Sequence, residues 1–181
     1  DMLIDRQGAQ VLMIDVQERL AAAMPEQEAI IEQCQILLRG ARALAVPTLV
    51  SEQYPRGLGP TVVPLLTLTE PAQRLEKLEF SCLRNEALAE RLRHSGRKQL
   101  MIAGLEAHVC VLQTALDALE QGFTVFVVAN ATGSRRLSDK TVALDRIAAM
   151  GGRIVTTEMV IFEWLGSAAA AEFKALSALV R

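Results

Sequence analysis

The stretch Gln99-Leu100-Met101-Ile102-Ala103-Gly104, running on into Leu105-Glu106-Ala107-His108-Val109-Cys110-Val111, decides the fold. Its first six residues form a short, nearly unbroken apolar run, which marks a strand buried on both faces. From about Ala107 to Glu120 the sequence reads as a helix, stopped at Gly122. A buried strand passing directly into a helix is the building unit of a parallel sheet.

The same alternation extends in both directions. Gln10 to Ile14 is a second apolar run, and it ends on Asp15. From Glu26 to Ala45 the residues Ile30, Ile31, Cys34, Leu37, Leu38 and Ala41 recur at helical spacing, and Pro47 ends that helix before a strand at Thr48 to Val50. Residues 51–72 carry Pro55, Gly57, Gly59, Pro60, Pro64 and Pro71 and read as one long loop. A short strand is expected at Arg74 to Lys77 and a helix from Asn85 to His94. Beyond the central stretch come a strand from Phe123 to Val128 and a helix from Ser138, its cap, to Met150. A strand at Arg153 to Val155 and a helix from Ala168 to Val180 complete the order. The pattern predicts an α/β fold: a three-layer α/β/α arrangement around a mostly parallel, doubly wound sheet of about six strands, in a single domain over residues 1–181.

Composition narrows the function classes. Nineteen Lys and Arg against 21 Asp and Glu leave a net charge of −2, which offers no basic footprint for nucleic acid. Aromatic residues make up only 4 %, too few for base-stacking platforms. No apolar run approaches the ~18 residues of a membrane span. Three cysteines without close pairing read as free thiols in a reducing compartment, so a cytoplasmic setting is expected. Gly57-Leu58-Gly59-Pro60 opens no helix and is not a phosphate loop. Two histidines leave little material for a metal site, and no metal or cofactor is expected.

In doubly wound sheets the site lies beyond the carboxyl ends of the strands, at the switch in strand order. That rule selects Asp15, Lys77 and the segment from Gly104 to Cys110. Cys110 near a helix N-terminus could be an activated thiolate, or a small buried hydrophobe. Asp15 could transfer protons or cap a backbone turn. Lys77 could pair with Asp15, or be a solvated surface residue. His108 reads as a turn residue or pocket wall, His94 as a helix C-terminal residue and Cys34 as core; Cys82 is left open.

Three segments together resemble the isochorismatase-like cysteine hydrolases. Val11-Leu12-Met13-Ile14-Asp15-Val16-Gln17 is similar to that family's first strand and aspartate, Lys77-Leu78-Glu79-Phe80-Ser81 to its lysine motif, and Gly104 to Val111 to its nucleophile turn. Ser51-Glu52-Gln53-Tyr54-Pro55 and Thr157 to Leu165 resemble the branch of isochorismatase domain-containing proteins. The resemblance implies a Cys110–Asp15–Lys77 triad: Cys110 as nucleophile, Asp15 as base, Lys77 holding both anions. It also implies a cis peptide before Glu106, with the backbone N–H groups of Glu106 and Cys110 forming an oxyanion hole. The metal-binding Asp-x-His of nicotinamidases is absent here, where the chain reads Ser51-Glu52-Gln53. The expected substrate is therefore a small amide, carbamoyl or related acyl compound, with Gln17, Tyr54 and Phe80 as pocket walls. A homo-oligomer is expected, with the apolar segment from Met159 to Leu165 available to bury itself between subunits; a non-catalytic assembly module on the same fold is the competing reading.

Overall fold

The computed structural model describes residues 2–181. Six parallel strands form one sheet: β1 (Ala9–Ile14), β2 (Thr48–Gln53), β3 (Arg74–Lys77), β4 (Gln99–Leu105), β5 (Thr124–Gly133) and β6 (Arg153–Val155). Their order is β3-β2-β1-β4-β5-β6, so the chain winds outward from β1 in one direction and then returns to its other side with β4. The switch in order falls between β1 and β4, whose residues are buried throughout. Here the continuous apolar runs have their physical reason, since both faces of these strands are covered.

One face packs against α1 (Glu18–Ala22), α2 (Gln27–Ala43), α8 (Thr157–Leu165) and α9 (Phe173–Leu179). Val11, Met13, Met101, Ala103, Phe126 and Val128 supply the sheet side of that core. The alternate residues Leu12, Ile14, Leu100, Ile102, Val125 and Val127 face α5 (Glu86–His94), α6 (Leu112–Glu120) and α7 (Leu137–Ala149). The period-two alternation of strand side chains thus serves two separate cores. Among the described residues no helix is long and apolar enough to cross a membrane.

Several elements differ from the sequence expectation. Residues 51–72 are not one loop: β2 runs to Gln53, and the rest folds into α3 (Pro55–Leu58), α4 (Val63–Leu66) and a 3₁₀ turn at Pro71–Gln73. Pro55, Pro64 and Pro71 stand in the first turns of these short helices, where a missing N–H costs nothing, and Pro60 lies between α3 and α4. β5 continues past Val128 because its pairing with β4 shifts register after Ile102 and resumes as Gly104 opposite Thr132. α7 starts at Leu137, so its cap position is Arg136 and not Ser138. The last helix shortens to α9, and the apolar segment before it is a helix of its own, α8, closed by Gly166 at φ 70°. Val160, Ile161 and Trp164 of α8 are buried in the same core as α2, which removes them from any role between subunits.

Gly104 shows how tightly the switch point is built. Its φ is 117°, and a Cβ there would collide with the backbone of Ile14 on the neighbouring strand. Leu37, fully buried on α2, is expected to cost about 2–5 kcal/mol when replaced by Ala. Val142, exposed on α7, is expected to change stability by less than about 0.5 kcal/mol in the same substitution. Denaturant unfolding midpoints of the two variants check this contrast.

Candidate active site

The sheet register gathers the site. Ile14 pairs with Ser51 and with Gly104, and Gln53 pairs with Lys77. The residues that leave these strand ends therefore meet at one edge. Asp15 turns there in the left-handed region at φ 53°, a conformation that costs a non-glycine residue about 1–3 kcal/mol. After β4 the Leu105–Glu106 peptide is cis, as the resemblance implied, and a π-helical turn from Ala107 to Val111 carries Cys110 ahead of α6.

Asp15, Lys77 and Cys110 come together. Lys77 Nζ lies 2.9 Å from Asp15 Oδ2 and 3.5 Å from Cys110 Sγ, and the side chains of Asp15 and Lys77 are wholly shielded from solvent. The solvated reading of Lys77 and the turn-capping reading of Asp15 are both set aside by these contacts. Lys77 also donates to Gln53 Oε1 at 2.6 Å and faces the carbonyls of Glu79 and Phe80 at 3.1 Å. Its three ammonium protons thus have five acceptors around them, so the head group is held from several sides at once.

Burial raises the Asp15 carboxyl above the ordinary range, against the opposing pull of Lys77, Cys110 and Ser51. Burial is the largest single influence on the Lys77 ammonium and would lower it, but Asp15, Cys82 and Cys110 together outweigh it and the net shift is upward. The Cys110 thiol is pushed up strongly, first by burial and then by the Asp15 charge, and Lys77 only partly offsets this. Of the two sequence readings of Cys110, this direction favours a buried, protonated thiol over a thiolate activated by the helix start. Cys82, behind Lys77, and Cys34, in the opposite core, are fully buried, and burial pushes their thiols up to about 11 and about 12.

The remaining candidates separate clearly. Tyr54 stands on the wall of a groove of about 450 Å³ that reaches Lys77, together with Arg56, Leu78, Glu79 and Asn85. The Phe80 side chain is exposed outside that wall, and its carbonyl serves Lys77. Gln17 is fully buried and does not face the groove. Its amide instead bonds to the backbone N–H and carbonyl of Gln53 and to the Gly59 carbonyl, bracing the loop from behind. His108 turns to Ser134 Oγ at 2.9 Å and lies 3.8 Å from Asp139. Glu106, also buried, accepts from the backbone N–H and the guanidinium of Arg135, which ties the π-helical turn to the end of β5. Sequence reasoning missed Gln53 and Ser51 as members of this cluster. No three His, Cys, Asp or Glu side chains gather as a metal-ligand set among the described residues.

The family model of the isochorismatase domain matches residues 9–159. The chain belongs to this family. It is 40 % identical over 167 residues to isochorismatase domain-containing protein 1 of Salmo salar, a match covering 92 % of this chain and 59 % of the salmon protein. The chain thus spans less than two thirds of that relative's length. Among solved structures it resembles the MAR1 ribonuclease of Caenorhabditis elegans, with TM-score 0.91, 32 % identity and coverage of 98 % and 92 % of the two chains. It also resembles the YcaC gene product of Escherichia coli, described as an octameric hydrolase of unknown specificity, with TM-score 0.93, 28 % identity and coverage of 99 % and 89 %. These relatives and neighbours share the isochorismatase-domain family and its fold with this chain.

Replacing Asp15 by Asn removes a negative charge beside Cys110 and leaves Lys77 without a counter-ion, a place the thiolate can take. The thiol titration is expected to fall by about one unit, and alkylation of Cys110 by iodoacetamide at neutral pH to accelerate severalfold. Peptide mass spectrometry over a pH series reads the rate; a slower reaction would contradict the assigned direction.

Proposed function

We propose that this protein is a cysteine hydrolase that cleaves a small amide, carbamoyl or related acyl substrate through a covalent thioester, without a metal. The observation that carries the reading is the contact of one buried ammonium, Lys77 Nζ, with both Asp15 Oδ2 and Cys110 Sγ. In this reading Cys110 is protonated at rest and Asp15 is the base. A carboxyl raised by burial has a proton affinity closer to neutrality, which suits it to take the thiol proton as the sulfur attacks.

The steps balance as follows. Sγ bonds to the carbonyl carbon while its proton passes to Asp15, and the carbonyl oxygen becomes an anion. The backbone N–H groups of Glu106 and Cys110 receive that anion; in other enzymes one such donor contributes about 2.7–4 kcal/mol. The C–N bond breaks, and the amine leaves with the proton held by Asp15. Water then attacks the thioester and gives a proton to Asp15, which returns it to the departing sulfur. Lys77 keeps its charge throughout and balances whichever of Asp15 and Cys110 is anionic. Burial of the cluster strengthens this compensation, because little water screens it.

The groove reaching Lys77 is the proposed substrate entrance, with Tyr54 on its wall. Homo-oligomer formation belongs to the same proposal. The octameric Escherichia coli neighbour supports it, as do the exposed apolar side chains of Tyr54, Leu78 and Phe80 around the site. The non-catalytic assembly reading loses one of its sequence supports in part, since Val160, Ile161 and Trp164 of α8 pack inside their own chain while Met159 and Phe162 stay exposed. The worm neighbour is called a ribonuclease, but a net charge of −2 gives this chain no electrostatic footprint for RNA.

A panel of small amides, carbamoyl compounds and activated acyl esters, followed by rapid acid quench and peptide mapping, tests the proposal. The expected result is an acyl group on Cys110 and a loss of turnover by about 10³-fold or more in Cys110→Ala, with an unchanged circular dichroism spectrum. Undiminished hydrolysis by Cys110→Ala, or acylation confined to another residue, would overturn it.

A further inference from the structure

Ser51 grips Asp15 at two points. The Ser51 carbonyl accepts from the Asp15 backbone N–H at 3.0 Å, and Ser51 Oγ donates to Asp15 Oδ1 at 2.7 Å. Both residues are completely shielded from solvent. The backbone bond continues the β1–β2 register by one residue into the left-handed turn, where a non-glycine residue needs support. The side-chain bond occupies Oδ1, while Oδ2 faces Lys77. Among the described residues, Ser51 is the one whose hydrogen bonds reach both the main chain and the carboxylate of Asp15.

We propose that Ser51 is a positioning residue that sets how readily Asp15 holds a proton. This rests on the assignment of Asp15 as the base and deepens it. The physical reason is the direction of the bond. A hydroxyl donating to a carboxylate stabilises the charged form, and Ser51 and Asp15 are both shielded from bulk solvent, so the bond has no solvent competitor at hand. Burial drives Asp15 towards the neutral acid, which could not accept the Cys110 proton. Lys77 resists that drive, but its protons are shared among five acceptors, and the Cys110 thiol beside Asp15 gives up its own proton in the reaction, so the Ser51 hydroxyl is a donor to Oδ1 that stays in place throughout. Ser51 thereby keeps a deeply buried carboxylate ionised and leaves it basic enough to work. The Cys82 thiol, buried in the second core, also interacts with this hydroxyl.

The test reads Asp15 directly and needs no substrate. Protein labelled with ¹³C at the aspartate carboxyls is titrated by NMR, and the Asp15 signal is assigned by its loss in Asp15→Asn. In Ser51→Ala the Asp15 midpoint is expected to rise, corresponding to an increase in proton affinity of about tenfold. Ser51→Cys, which keeps a weaker donor in nearly the same volume, is expected to raise it by less. An unchanged or lowered midpoint in Ser51→Ala, with the fold intact by circular dichroism, overturns the inference. If the alanine variant does not fold, the cysteine variant carries the test: a raised midpoint supports the inference and an unchanged one overturns it. Either failure leaves the hydrolase proposal standing, because acylation of Cys110 is read separately.

Discussion

A lysine and an aspartate facing each other at 2.9 Å, with neither side chain touching solvent, constrain everything else in this molecule. Removing two such charges from water costs several kcal/mol per ion, and attraction between them repays it only where the geometry is held and further hydrogen bonds fill the remaining positions. The structure supplies these from four strands. β1 leads into Asp15, β2 brings Ser51 and Gln53, β3 ends on Lys77, and β4 leads into the turn that carries Cys110. The parallel register is what makes these ends coincide, and Gly104 lets β4 approach β1 closely enough for it.

From that pair follows the state of the sulfur. Asp15 and Lys77 already neutralise each other, so a thiolate at Cys110 would be a second, uncompensated negative charge in a site that water scarcely enters. In the proposed reading the protonated thiol is the resting form, and the carboxylate beside it accepts its proton rather than competing with it. A neutral resting cluster also resists adventitious oxidation, because the thiolate is the reactive species. Chemistry then depends on moving one proton a short distance within the cluster while Lys77 remains charged.

The fold was legible where neighbours on the sheet impose a continuous pattern. The runs Val11 to Ile14 and Leu100 to Ala103 are apolar because both faces are covered, and such runs point to a parallel sheet without further information. Asp15 and Cys110 were legible for the same reason, as polar residues closing buried strands or turns. Lys77 was ambiguous, since β3 is an edge strand with the sequence Arg-Leu-Glu-Lys and only its last residue is buried. Ser51 and Gln53 carried no signal as single residues: what matters is which side chains stand opposite them. The protonation state of Cys110 stayed open between two readings because the helix-terminus rule is local, whereas the burial and the Asp15 charge that push the thiol up come from other parts of the chain. α8 was equally undecidable, as an apolar segment can bury itself in its own chain or in a copy, and here the partner is α2.

The resting protonation of Cys110 is the claim on which the account turns, and thiolate absorbance in the ultraviolet measures it most directly. The difference spectrum of the protein against Cys110→Ala, followed from acidic to alkaline pH, isolates this one sulfur from Cys34 and Cys82. The account expects no thiolate signal at neutral pH and a titration well above the ~8.5 of a free cysteine. A thiolate already formed at neutral pH would contradict it, and would mean that Lys77 serves the sulfur before it serves Asp15.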